Sequence, residues 1–161
     1  MIIISSTSPI SNLAAIRQLS LLPQLYNKLI IPTPVANEIA RVGTTYTQAV
    51  SVSTLDWISI QSGESQFIVD RLSIYLSQGE ATAIALAVEL KADLVLLDDQ
   101  LARKMAAEYG LKSVGLLGIL LEAKSQDKIS EIKLILNDLV VQSRYRINPR
   151  LYSEVLEIAG E

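Results

Sequence analysis

The chain contains no cysteine and no histidine. Their absence removes thiol nucleophiles, disulfides, zinc sites of the Cys/His kind and imidazole acid–base chemistry. Chemistry is left to carboxylates, hydroxyls, Tyr, Lys and Arg. A metal suited to that set is a hard, oxygen-seeking ion, Mg²⁺ or Mn²⁺. Positive charge is not in excess either: 14 Lys and Arg stand against 17 Asp and Glu, a net charge of −3. That argues against a non-specific DNA coat, while a local basic stripe still suits nucleic acid. No apolar run is long enough to span a bilayer, and no basic-then-apolar leader opens the sequence. A cytoplasmic protein with no membrane partner is expected. Internal repeats, low-complexity tracts and interdomain linkers are also missing.

What is present is a large apolar share, 50% of 161 residues, enough for a real core in one domain. Ile2-Ile3-Ile4 is β-branched and continuous, as expected of a buried parallel strand. Ser5-Ser6-Thr7-Ser8-Pro9 ends it, with a hydroxyl cap before Pro9 at a first helical position. A helix is predicted over Ile10–Ile16 and a second over Leu19–Tyr26, interrupted near its start by Pro23. Leu29-Ile30-Ile31 reads as the next strand. Pro32-Thr33-Pro34 then launches a helix with Val35, Ile39 and Val42 on one face and Glu38 near its first turn. Thr44–Thr54 reads as a loop with some helical turn. Trp57–Ile60 alternates like a short edge strand, and Glu64–Tyr75 has helical spacing.

The centre of the chain carries the densest signal. Ala81–Leu90 is rich in strong helix formers and nearly free of polar residues, so it is expected to be mostly buried. Leu94–Leu97 is a short apolar run suited to a strand covered on both faces. Asp98 and Asp99 stand where that strand ends, and strand carboxyl ends are where open α/β sheets bind ligands. Glu80, at the start of the preceding helix, is placed to fold back to the same edge. Leu101–Tyr109 is a predicted helix stopped by Gly110. Ser113-Val114 is a strand, and Gly115–Lys124 a helix with Leu117, Leu120 and Leu121 inside. Ile129–Val141 and Pro149–Ile158 supply two more helices, with Arg144, Arg146 and Arg150 between or beside them. Strands separated by helices imply a parallel sheet covered on both faces. The strand order is not readable from this pattern. The division expected is a single domain over 1–161, with a core of about 1–125 and a C-terminal helical extension of about 126–161.

Carboxylates gathered at one edge repel one another unless a divalent cation neutralises them. Such an ion, held by two or three carboxylates and waters, activates water for phosphodiester hydrolysis. Arg103 and Lys104, one turn beyond Asp99, are placed to hold substrate phosphates. Each residue also has a plainer role. Glu38 suits a solvated helix face, Glu80 a helix N-terminal dipole, and one of Asp98 and Asp99 a helix cap. Ser5 to Ser8 suit turns and caps, since no base accompanies them. A phospho-acceptor receiver domain fits Leu-Leu-Asp-Asp, but too few residues follow Asp99 to build the rest of that fold.

The chain resembles the PIN-domain superfamily, and within it the uncharacterised prokaryotic branch related to toxins of type II toxin–antitoxin pairs. The matching segments are Ile3–Ile10, Ile31–Glu38, Gly79–Ala87, Leu94–Arg103 and Gly110–Lys124, in the family's order. The resemblance implies a three-layer α/β/α Rossmann-like fold with a central parallel sheet and extra C-terminal helices. It also implies a Mg²⁺- or Mn²⁺-dependent ribonuclease acting on single-stranded or structured RNA. Glu38 matches the family's second acidic position, Glu80 the third and Asp98 the fourth, with Asp99 beside it as a further metal ligand. The first acidic position falls on Ser6, which offers only a neutral oxygen. Thr7 and Ser8 match the hydroxyl positions that follow. An antitoxin protein is an implied partner. An alternative is a catalytically weak or silent module that binds nucleic acid or protein, motivated by Ser6. Homodimerisation is expected from the apolar surface of the Ala-rich helix and the C-terminal helices.

Overall fold

Three short apolar runs make the middle of the sheet. In the computed structural model, which describes residues 1–43 and 52–161, strand β1 is Ile3–Ser5, β2 Leu29–Pro32, β3 Ile58–Gln61, β4 Leu94–Leu96 and β5 Ser113–Val114. All neighbours pair parallel, in the order β3-β2-β1-β4-β5. Nine helices accompany the strands among the described residues. They are α1 Thr7–Ala15, α2 Leu21–Tyr26, α3 Thr33–Gly43, α4 Gln66–Leu72, α5 Gln78–Leu90, α6 Gln100–Glu108, α7 Leu116–Ser125, α8 Ile132–Gln142 and α9 Pro149–Ile158. Residues 44–51 of the segment expected to loop lie outside the described residues. Val52–Thr54 forms a 3₁₀ turn.

Alternation along each strand sends successive side chains to opposite faces. Ile3, Leu29, Ile31 and Leu96 enter one core with residues of α1, α2, α3, α7, α8 and α9, including Leu13, Val35, Leu120, Leu136 and Val155. Ile4, Val95 and Leu97 enter the other with residues of α4, α5 and α6, including Leu72, Ile84 and Ala102. The result is the three-layer α/β/α arrangement expected from the alternation of strands and helices. Ala81, Ala83 and Ala87 of α5 are all fully buried. Small side chains let this helix lie close against the sheet and its neighbours. Its apolar surface is therefore consumed within the chain and is not free for a second copy.

Several local expectations shift. The helix after β1 starts at Thr7, so Pro9 is its third residue and not its first. Proline is tolerated there because N–H groups of a first turn have no intrahelical partner. Pro23 likewise sits third in α2, within the first turn, and does not interrupt it. Helix α7 buries Leu116, Ile119, Leu120 and Ala123, with Leu117 and Leu121 half-buried at its flanks. Helix α8 begins at Ile132, later than the pattern suggested.

Candidate functional site at the carboxyl edge of the sheet

The parallel sheet sends the carboxyl ends of all five strands to one rim, and the singled-out polar residues follow those ends. Ser6 follows β1. Its backbone N–H and its hydroxyl both donate to the Leu96 carbonyl of β4, each at 3.0 Å. The side chain is 2% exposed and turned into the sheet. Ser5, beneath it, is buried and donates to the Ser6 carbonyl at 2.9 Å. Ser8 is exposed.

Glu38 lies on α3 and reaches across to two other helices. Its Oε2 accepts the Thr7 hydroxyl, and its Oε1 accepts the Gly79 N–H at 3.1 Å. Gly79 is in the first turn of α5, so the carboxylate meets the positive end of that helix. A Cβ at residue 79 would come within 2.5 Å of Glu38 Oε2 and 3.0 Å of Thr7 Oγ1. Glycine at 79 is what permits the approach.

Glu80, expected to fold back to the edge, is engaged locally. It closes a capping box on its own helix: Ser77 donates to Glu80 Oε1 through its N–H at 3.1 Å and its hydroxyl at 2.7 Å. Ser77 Oγ in turn accepts the Glu80 N–H at 3.2 Å. This local arrangement satisfies two orphan donors of the first turn, and it draws Glu80 towards Ser77.

Asp98 leaves β4 and serves the start of α7, where its Oδ1 accepts the Leu116 N–H at 3.0 Å. The same oxygen accepts the Tyr145 hydroxyl at 3.2 Å. Burial raises the Tyr145 pKa well above its ordinary value, and the charge and hydrogen bond of Asp98 add to the rise. Tyr145 therefore stays a donor at any ordinary pH. Asp99 is exposed and caps α6, accepting the Ala102 N–H at 2.9 Å. Arg103 does not point out towards a phosphate. Its Nη1 donates to the carbonyls of Leu97 at 3.1 Å and Asp98 at 2.6 Å. It fixes the turn after β4, whereas Lys104 is exposed.

Tyr145 was not singled out by its sequence context, where it merely separates two arginines. Its contact spans 47 residues, and no local pattern signals that. The contact holds the segment between α8 and α9 at the rim, and Arg144 and Arg146, which flank Tyr145 in that segment, are both exposed. Arg150 pairs instead with Glu154 at 3.1 Å.

The rim thus brings together Ser6, Thr7 and Glu38 on one side, and Asp98, Arg103 and Tyr145 on the other. It does not gather the acids into one cluster. Among the described residues, no group of three acidic side chains is disposed to hold a metal ion. A hard divalent cation needs several oxygens converging on one point. Here the Ser6 oxygen is turned inward to Leu96, Glu80 is held by Ser77, and Glu38 and Asp98 are each engaged by helix-start N–H groups. In this arrangement the donor set does not fit a Mg²⁺ or Mn²⁺ site.

With the fold and rim established, the family follows. The chain belongs to the PIN-domain family: a family model described as DUF3368, PIN domain, matches residues 2–161. Its fold is similar to that of a PilT N-terminus domain protein from the hyperthermophilic archaeon Sulfolobus solfataricus P2. The likeness has a TM-score of 0.54 at 18% identity and covers 81% of this chain and 96% of the other. No curated protein sequence matches the chain. PIN domains generally use divalent metals, and membership makes a nuclease possible. No helix among the described residues is long and apolar enough to cross a membrane.

Proposed function

We propose that this chain is a PIN-fold module that binds RNA at the carboxyl edge of its sheet, with ribonuclease chemistry weak or lost. The observation that carries the reading is the use of the acids. Glu38, Glu80, Asp98 and Asp99 each hold the start of a helix, and Ser6 stands where the resemblance calls for the first acid. RNA is favoured over other partners by the basic pair that Tyr145 brings to the rim. Arg144 and Arg146 make no ion pair or side-chain hydrogen bond among the described residues, and Lys104 is exposed midway along α6. Free guanidinium groups beside a strand-end rim suit a phosphate backbone.

Fluorescence anisotropy with a short single-stranded RNA tests this directly. Binding is expected without divalent ions, and Arg144→Ala with Arg146→Ala should flatten the log–log salt dependence by roughly 1.4, the counterions of two phosphates on a single strand. Unchanged salt dependence in the double variant contradicts the placement of RNA on this rim.

The second reading is an active metal-dependent ribonuclease, acting as a toxin restrained by an antitoxin protein. It is favoured by Glu38 and Asp98 following adjacent parts of one edge on either side of Ser6. Rapid RNA cleavage with Mn²⁺, abolished by Glu38→Gln and by Asp98→Asn, would restore it as the first. We further place homodimerisation on the C-terminal helices, where Leu134 and Val141, two turns apart on α8, are 60% and 78% exposed. Sedimentation over a range of concentrations tests that, and a monomer throughout removes it.

A further inference from the structure

Beside the Glu38 contact lies a cleft of about 290 Å³ at the carboxyl ends of β2 and β3. Pro32 and Pro34, and Ala85 and Leu86 of α5, supply apolar parts of its lining. Its polar groups are all uncharged hydroxyls and amides, among them Thr33, Ser62, Gln66 and Gln78. The cleft is held in shape. Thr33 and Ser62 hydroxyls pair at 3.0 Å, and Glu89 of α5 accepts the Glu64 N–H at 3.0 Å, tying the loop after β3 to that helix. Gln66 Nε2 donates to Asp70 at 2.7 Å, which leaves its Oε1 available. The Gln78 amide has no partner among the described residues.

We infer that this cleft is a nucleobase subsite, which takes one base of an RNA strand lying along the rim and gives that strand a base preference. The inference rests on the RNA reading above and deepens it. A site without charge is a poor phosphate site, because phosphate recognition relies on Lys, Arg or convergent N–H groups. An apolar lining with a few hydroxyl and amide groups suits a ring that is apolar on its faces and polar at its edge. Placement agrees with this. Tyr145 anchors the segment that carries Arg144 and Arg146 to Asp98 after β4, whereas the cleft lies between the ends of β2 and β3. With strands about 4.8 Å apart, the end of β4 lies roughly 12 Å along the sheet from the midpoint of the β2 and β3 ends. One short strand of RNA spans that distance, with its backbone at the arginines and a base in the cleft. Gln78, which carries both a donor and an acceptor, reads the base edge.

Two measurements test the subsite. In the first, anisotropy competition compares octamers of rA, rC, rG and rU on the wild-type chain. The best should bind roughly tenfold tighter than the worst, the scale of one two-bond base contact. Gln78→Ala should bring the four affinities together while leaving the weakest unchanged, and Ser62→Phe, which fills the cleft from an exposed loop, should do the same. Arg144→Ala with Arg146→Ala should weaken all four alike. Equal affinities in the wild type, or a preference that survives both cleft variants, overturns the subsite and leaves RNA binding standing. In the second, the four free nucleosides are titrated against the Gln78 side-chain amide resonances. A selective shift by one nucleoside, absent in Ser62→Phe, supports the cleft even if no octamer binds, an outcome that would overturn the RNA reading alone. No shift with any nucleoside overturns the subsite.

Discussion

Glu38 shows how one carboxylate takes on a structural role. It joins three helices by accepting from Thr7 of α1 and Gly79 of α5 while standing on α3. A carboxylate that accepts N–H groups at a helix start is stabilised by both the hydrogen bond and the dipole. Glu38→Ala is expected to cost about 1–2 kcal/mol in urea unfolding, and Glu38→Gln less, since an amide oxygen still accepts. An acid held only for a metal would behave in the opposite way, because its removal relieves repulsion. Glu161 makes the parallel case at α8. It accepts the Ile132 N–H at 2.7 Å and the Lys133 N–H at 3.2 Å, and pairs with Lys124 at 3.4 Å. The Ile132 hydrogen bond chiefly lowers its pKa, with burial opposing and Lys133 and Lys124 assisting. A lowered folded-state pKa gives stability that is present above the ordinary glutamate range and lost as pH falls through the lowered value. The difference in urea midpoint between the wild type and Glu161→Gln should therefore be present at pH 7 and shrink on acidification. A difference constant with pH would contradict that role.

Elements were legible in the sequence where their signal was local. Ile3-Ile4, Leu29–Ile31 and Val95-Leu96 read as buried parallel strands because they are short, apolar and bounded by polar or proline-containing turns. The Ala-rich run of α5 read as a buried helix for want of polar residues on any face. Helix starts were less visible, since Pro9 and Pro23 are accepted anywhere in a first turn and so mark a start only loosely. The rim was legible as a list of residues and not as a geometry. Sequence order shows that Glu38, Glu80, Asp98 and Asp99 come near strand ends or helix starts, and both are places where a carboxylate is useful. A metal ligand and a helix cap draw on the same residue types at the same positions. Which role a side chain takes depends on partners far along the chain, such as Gly79 for Glu38 and Leu116 and Tyr145 for Asp98. Glu80 is the exception, because its partner Ser77 is three residues away and the Ser-x-x-Glu spacing is itself a capping-box pattern.

At the scale of the whole molecule, the C-terminal helices belong to the same core as the first strand: Ile132, Leu136, Leu139 and Val155 pack in the cluster that holds Ile3 and Leu96. They also place the segment between α8 and α9 against the rim through Tyr145. The sheet therefore supplies the edge, and the segment joining the last two helices, anchored there by Tyr145, carries Arg144 and Arg146. Under the proposed reading, Ser6 at the position where the resemblance implies an acid and the engagement of Glu38, Glu80, Asp98 and Asp99 by helix starts act together, so that the PIN fold persists without a tightly held cation. Calorimetric titration of Mn²⁺ into the wild-type chain and into Ser6→Asp examines that account most directly. The wild type should show no saturable binding below millimolar Mn²⁺, and Ser6→Asp, which returns a carboxylate between Glu38 and Asp98, should create or strengthen it. Tight binding of one Mn²⁺ by the wild type, lost on Glu38→Gln or Asp98→Asn, would contradict it.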